Sequence, residues 1–117
     1  MSEIINMQSV EEARSVMQDK FPLMVEYFLE DAATYISSID EGLAANEAEK
    51  VQSTAHTIKS SANQLGADKM SDAAKQIEYL ARDIMAGNSN DFEELSNLCE
   101  KLKEAFNEAT PELKKLM

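Results

Sequence analysis

Tryptophan is absent from the 117 residues, and histidine and cysteine occur once each, as His56 and Cys99. A structural zinc site takes four Cys or His ligands, which one of each cannot supply. A lone cysteine forms no intramolecular disulfide, so nothing argues for an oxidising compartment. The three glycines, Gly42, Gly66 and Gly87, stand far apart, which excludes a Gly-rich phosphate loop. Basic residues are also few: 11 Lys and Arg against 22 Asp and Glu give a net charge of −11. That balance excludes the basic face of a nucleic-acid binder and disfavours an anionic membrane surface. No apolar run approaches the length of a membrane span. The start, MSEIINMQSVEEAR, has neither the basic region nor the apolar stretch of a signal peptide, so the chain reads as cytoplasmic.

What is present is helix-forming. Ala, Leu, Met, Glu, Lys and Gln dominate, and no segment alternates as a half-buried strand does. Hydrophobic residues make up 44%, enough for one core in a single domain over 1–117. A short leading helix over 9–19 is predicted, with Ser9 and Glu12 at capping-box spacing. Pro22 suits the first turn of a helix over 22–45, whose inner face would use Met24, Phe28, Ala32, Tyr35, Ile39 and Leu43. Asn46 is the expected cap of a helix over 47–65, ended by Gly66. Asp68 is the expected cap of a helix over 69–86, with Met70, Ala73, Ile77, Leu80, Ala81 and Ile84 as its stripe. A last helix over 91–116 follows, in which Pro111 should kink or interrupt, with Thr110 as a local cap. The expected fold is all-α: an antiparallel up-down four-helix bundle with a short additional N-terminal helix. The initial Met and the capped ends read as a free-standing domain. No extra apolar stripe demands a dimer, so a monomer is expected.

The single histidine is informative through its direction. At about 100° per residue, Val51, Ala55, Ile58, Ala62 and Leu65 fall within about 40° of one line, the buried stripe. His56 lies about 140° from its centre and should face solvent. Its neighbours one turn away are Gln52, Ser53, Lys59 and Ser60, with Glu49 and Asn63 a turn further. The whole face is polar. A surface histidine is by default an ordinary solvated residue. No Glu precedes His56 at Glu-x-x-His spacing and no second histidine exists, so no metal site is expected. A Ser-His or Cys-His pair would need Ser53, Ser60 or the distant Cys99, and no buried orienting acid is evident, which leaves hydrolase chemistry remote.

The stretch Ala55-His56-Thr57-Ile58-Lys59-Ser60-Ser61-Ala62-Asn63-Gln64-Leu65-Gly66-Ala67 resembles the motif of histidine-containing phosphotransfer (HPt) domains of bacterial two-component phosphorelays. It matches at His56, Ile58, Lys59, Ser61, Ala62, Leu65, Gly66 and Ala67. Phe28-Leu29-Glu30-Asp31 and the stretch from Glu78 to Arg82 are similar to the family as well. One position departs: Ser60 stands where the family usually has Gly, whose lack of a side chain allows close approach of a partner. Ser is small enough to keep docking, and it is placed to bond back to the His56 carbonyl.

The resemblance implies that His56 carries a phosphoryl group on Nε2. The group would come from a receiver-domain aspartate of a hybrid sensor histidine kinase and pass to another response-regulator receiver. The chain would need no cofactor: it would bind no ATP, and magnesium would sit on the partner receiver only. It would thus be a phosphocarrier rather than an enzyme, with no nucleic-acid or membrane partner. Lys59 would pair with phosphate oxygens, with Ser60, Asn63 and Gln52 in support. Val16, Met17 and Phe21 either form an apolar docking patch or merely cap the core. Glu78 and Arg82 are either an i, i+4 pair facing the site or an ordinary surface pair. The competing reading is a non-phosphorylated helical adaptor that binds a receiver domain or another protein.

Overall fold

The computed structural model describes residues 4–117, so residues 1–3 of the expected domain lie outside the described residues. Its elements are α1 (Met7–Met17), a 3-10 turn (Gln18–Lys20), α2 (Phe21–Ala44), α3 (Ala48–Gln64), α4 (Asp68–Met85) and α5 (Phe92–Lys114). The long helices α2 to α5 form an antiparallel bundle, each packed on its successor, with α5 closing the ring against α2. The α3–α4 pair is the most intimate. Both helices bury alanines, Ala55 and Ala62 on one and Ala73, Ala74 and Ala81 on the other, and small side chains let helix backbones approach. The short α1 touches α2 and α3.

The helix starts differ from expectation at three places. α1 begins at Met7, not Ser9, because the Asn6 side chain accepts from the backbone N–H groups of Gln8 and Ser9. Asn46 does not cap α3: Glu47 precedes the helix, and Asn46 turns the chain at φ 55, a conformation asparagine tolerates. Asp68 is the first residue of α4 rather than its cap, and its carboxylate accepts from the Asn6 side chain at 3.1 Å. Asp91 caps α5, accepting from the Glu94 N–H at 2.9 Å. Pro111 does not interrupt α5, which runs on to Lys114. A proline only one turn from the end of a helix disturbs few backbone hydrogen bonds. Thr110 is no cap; its hydroxyl donates to the Phe106 carbonyl at 2.7 Å.

The α3 stripe is buried at all five expected positions. The α2 face is rotated relative to expectation. Phe21 and Val25 are buried with Phe28, Ala32 and Ile39, whereas Met24, Tyr35 and Leu43 sit half-buried at its margin. The α4 face is rotated likewise: Ala74 and Glu78 are buried, and Leu80 and Ile84 are half-buried. That rotation brings a carboxylate into the α3–α4 interface.

Candidate functional site

α3 presents His56 outward from the middle of the bundle, its side chain 55% exposed. Beneath it lies Glu78 of α4, the one buried charged side chain among the described residues. The carboxylate accepts four hydrogen bonds. Oε1 takes Lys59 Nζ at 2.7 Å. Oε2 takes His56 Nδ1 at 2.7 Å, Arg82 Nη2 at 2.9 Å and Gln52 Nε2 at 3.2 Å. A buried carboxylate is tolerable only when paired and hydrogen-bonded, and here both cations come from the helices that enclose it. A further bond, from the Ser71 hydroxyl to the Lys59 carbonyl at 3.0 Å, ties α4 to α3 beside the site.

The charge state of Glu78 follows from these partners. Burial pushes its carboxyl up, but the hydrogen bonds from Lys59 and His56 and the charges of Lys59 and Arg82 outweigh burial and hold it below its usual value. An ionised carboxylate only accepts, so Nδ1 carries the proton of the neutral ring. The lone pair is then on Nε2, which faces away from Glu78. The orienting acid that seemed missing is therefore Glu78, reached through the fold rather than along the sequence.

The lowered value also sets a pH dependence. The unfolded carboxyl takes its proton near the ordinary glutamate value, the folded one only at lower pH. Stability from these contacts is thus complete above the ordinary value and lost as pH falls through it towards the folded value. Urea unfolding of the wild type and Glu78→Gln from pH 7 to pH 3 checks this. The wild type is expected to lose more stability than the variant over the acid part of the range. Parallel losses would contradict it.

The other predicted residues separate into groups. Gln52 contacts Glu78 directly, whereas Asn63 is exposed. The Ser60 hydroxyl is 3.4 Å from the His56 carbonyl, the expected back-bond at its longest. Of the docking candidates, Glu78 is fully buried and offers a partner no surface. Phe21 is 2% exposed and lies under the Arg14 guanidinium, 5.1 Å from the ring centre, so it is core. Val16 is 80% exposed, and Met17 is half-buried at one end of an apolar groove. That groove, of about 420 Å³, runs between α2 and α3 and is lined by Leu23, Met24, Tyr27 and Ile58 among others. Leu23 and Tyr27 are exposed apolar residues of this groove that the docking candidates did not include. They are spaced i, i+4 with Pro22 before them, and an outward apolar pair on an otherwise acidic helix is the signal that marks them.

Cys99 takes no part in the site. It is buried on α5, and its thiol is pushed up to about 12 by burial, with the Asp40 charge adding. Such a thiol is protonated at neutral pH and inert as a nucleophile. Around the Glu78 carboxylate that holds His56 stand the cations of Lys59 and Arg82 and the Gln52 amide, whose N–H donors suit an oxyanion. Among the described residues, no helix is long and apolar enough to cross a membrane.

Over 82 residues the chain is 27% identical to the phosphorelay protein LuxU of Vibrio harveyi, covering 69% of this chain and 72% of that protein. The fold matches the crystal structure of histidine-containing phosphotransfer protein B (HptB) from Pseudomonas aeruginosa PAO1. The TM-score is 0.89 at 21% identity, covering 98% of this chain and 95% of the other. Residues 23–109, which span α2 to most of α5 and include His56, Lys59, Glu78 and Arg82, match the family model of the Hpt domain, and the chain belongs to that family.

Proposed function

We propose that the protein is a phosphorelay carrier. His56 accepts a phosphoryl group from the aspartyl phosphate of a receiver domain in a hybrid sensor kinase and passes it to the aspartate of another response regulator. One observation carries this reading: an exposed imidazole whose Nδ1 is pinned by a buried carboxylate at 2.7 Å, which turns the Nε2 lone pair to solvent. In the accepting step Nε2 attacks phosphorus, the N–P bond forms and the acyl-phosphate O–P bond breaks, returning an aspartate carboxylate. The Nδ1 proton stays in place, and the positive charge that grows on the ring is met by Glu78. In the donating step a carboxylate oxygen of the acceptor aspartate attacks phosphorus, the O–P bond forms and the N–P bond breaks, its electron pair returns to Nε2, and the ring leaves as neutral imidazole because Nδ1 has kept its proton.

The phosphoryl oxygens need cations, since this chemistry is mostly positioning and charge neutralisation. Lys59 lies one helical turn from His56 and is only partly exposed. The magnesium ion belongs to the receiver, as does the acceptor carboxylate. A receiver would dock over α2 and α3, with Val16, Leu23 and Tyr27 as apolar contacts beside His56. The carrier works as a monomer in the cytoplasm, where receivers and kinase domains are found.

The test is transfer of radiolabelled phosphate from a phosphorylated receiver, giving an acid-labile, base-stable label on the chain. Lys59→Ala is expected to slow that transfer about tenfold, the worth of one hydrogen bond to a charged group. Helicity by circular dichroism should be unchanged. Equal rates would remove Lys59 from the mechanism.

A further inference from the structure

We infer that Arg82 is a second phosphoryl-binding residue, held beside His56 by Glu78 while the ring is bare. The inference rests on the carrier reading of His56.

Arg82 Nη2 and His56 Nδ1 bind the same oxygen, Glu78 Oε2, at 2.9 and 2.7 Å. The guanidinium therefore lies at the edge of the imidazole, although it comes from α4 and the ring from α3. Among the described residues only Nη2 has a protein partner, so the remaining N–H donors are available. The side chain is 55% exposed, so its outer torsions are free to turn. A planar guanidinium grips two oxygens of a phosphoryl group at once.

Charge arithmetic gives the same answer. With the ring bare, one carboxylate faces two cations, Lys59 and Arg82, an excess of one positive charge. The exposed face of α3 within a turn of His56 is otherwise neutral: Ser53, Thr57 and Ser60. In a chain of net charge −11, this excess has one evident use, an incoming anion. Phosphorylation places a group of about two negative charges on Nε2. Lys59 alone would only balance Glu78, and Arg82 supplies the positive charge left over for the phosphoryl group. The buried carboxylate keeps the Nδ1–H and Gln52 bonds as the guanidinium turns outward.

Arg82 would behave differently if it served only as a contact for the partner. The discriminating experiment compares two donors. Phosphoramidate is a small N-phosphoryl donor with no protein surface to dock. A phosphorylated receiver has both a phosphoryl group and a surface. For Arg82→Gln, labelling of His56 by either donor is expected to be about tenfold slower than for wild type, with a shorter lifetime of the phosphorylated ring. Arg82→Lys should recover part of both, since it restores charge but not the planar grip. Slowing with the receiver alone, with normal phosphoramidate labelling and lifetime, would make Arg82 a docking contact and overturn the inference. Unchanged behaviour with both donors would overturn it as well. A failure of the carrier reading looks different: wild-type phosphohistidine made with phosphoramidate would pass no label to any receiver. The glutamine of the variant can still donate to the buried Glu78 carboxylate, and urea unfolding of both Arg82 variants, run beside the labelling, separates a lost contact with phosphate from a loosened fold.

Discussion

His56→Gln is expected to reduce label from a phosphorylated receiver to background. The chain has no second histidine, so no other imidazole exists to receive the group. The substitution isolates chemistry from structure. His56 projects from the outer face of α3, where Gln is a better helix former than His. The glutamine amide remains able to donate to Glu78, so the buried carboxylate keeps a full set of partners. Thermal unfolding of the variant should therefore match the wild type closely while transfer is lost. Equal labelling of both proteins would show that the phosphoryl group sits elsewhere. A wild type that takes no label from any receiver, yet binds one, would favour the adaptor reading, with the groove beside Leu23 and Tyr27 as its contact surface.

Some parts of this site can be read from periodicity and others cannot, for a physical reason. Val51, Ala55, Ile58, Ala62 and Leu65 repeat at helical spacing, and burial of that stripe forces His56 outward. The direction of the ring is thus local information. Its partner is not. Glu78 stands on the opposite helix, and only the packing of α4 on α3 brings it under the ring. The sequence does carry one trace: Ala74, Ile77, Glu78 and Ala81 share a helical face, and a carboxylate on an apolar face implies a buried partner set. Including Leu80 and Ile84 in the stripe with Met70, Ala73, Ile77 and Ala81 turns the α4 face away from Ala74 and Glu78 and hides that signal. The same long-range closure explains Arg82. Along the sequence Lys59 is the nearest cation to His56, and Arg82 is only half of a pair that faces either the site or solvent; the carboxylate it shares with the ring is seen in three dimensions. The α1 boundary was illegible for a related reason. Its cap, Asn6, is fixed by contacts with residues some sixty positions away, Gly66 and Asp68.

That closure makes Gly66→Ala the most destabilising single methyl that the fold predicts. Gly66 ends α3 with φ 75, in the left-handed region. An alanine there costs about 1–2 kcal/mol from its own backbone. A Cβ at this position would also overlap the Asn6 carbonyl oxygen, with the Asn6 nitrogen and carbonyl carbon close behind. These are backbone atoms, so no side chain can swing aside. The segment must retreat, which strains the Asn6 N–H bond to the Gly66 carbonyl, 2.8 Å long, worth about 1 kcal/mol. It also pulls Ile5, 6% exposed, away from the core. Together these predict a loss of about 3 kcal/mol or more, seen as a lower urea midpoint. Gly87→Ala is the control. Gly87 has φ 80, yet nothing lies within 4 Å of its Cβ position. It should lose only the backbone cost of about 1 kcal/mol. Equal losses at the two glycines would mean that the Asn6 strap contributes nothing to the fold. The site should survive in folded Gly66→Ala protein, because His56 lies more than two turns back along α3, and the α4 partners that hold it do not touch the strap.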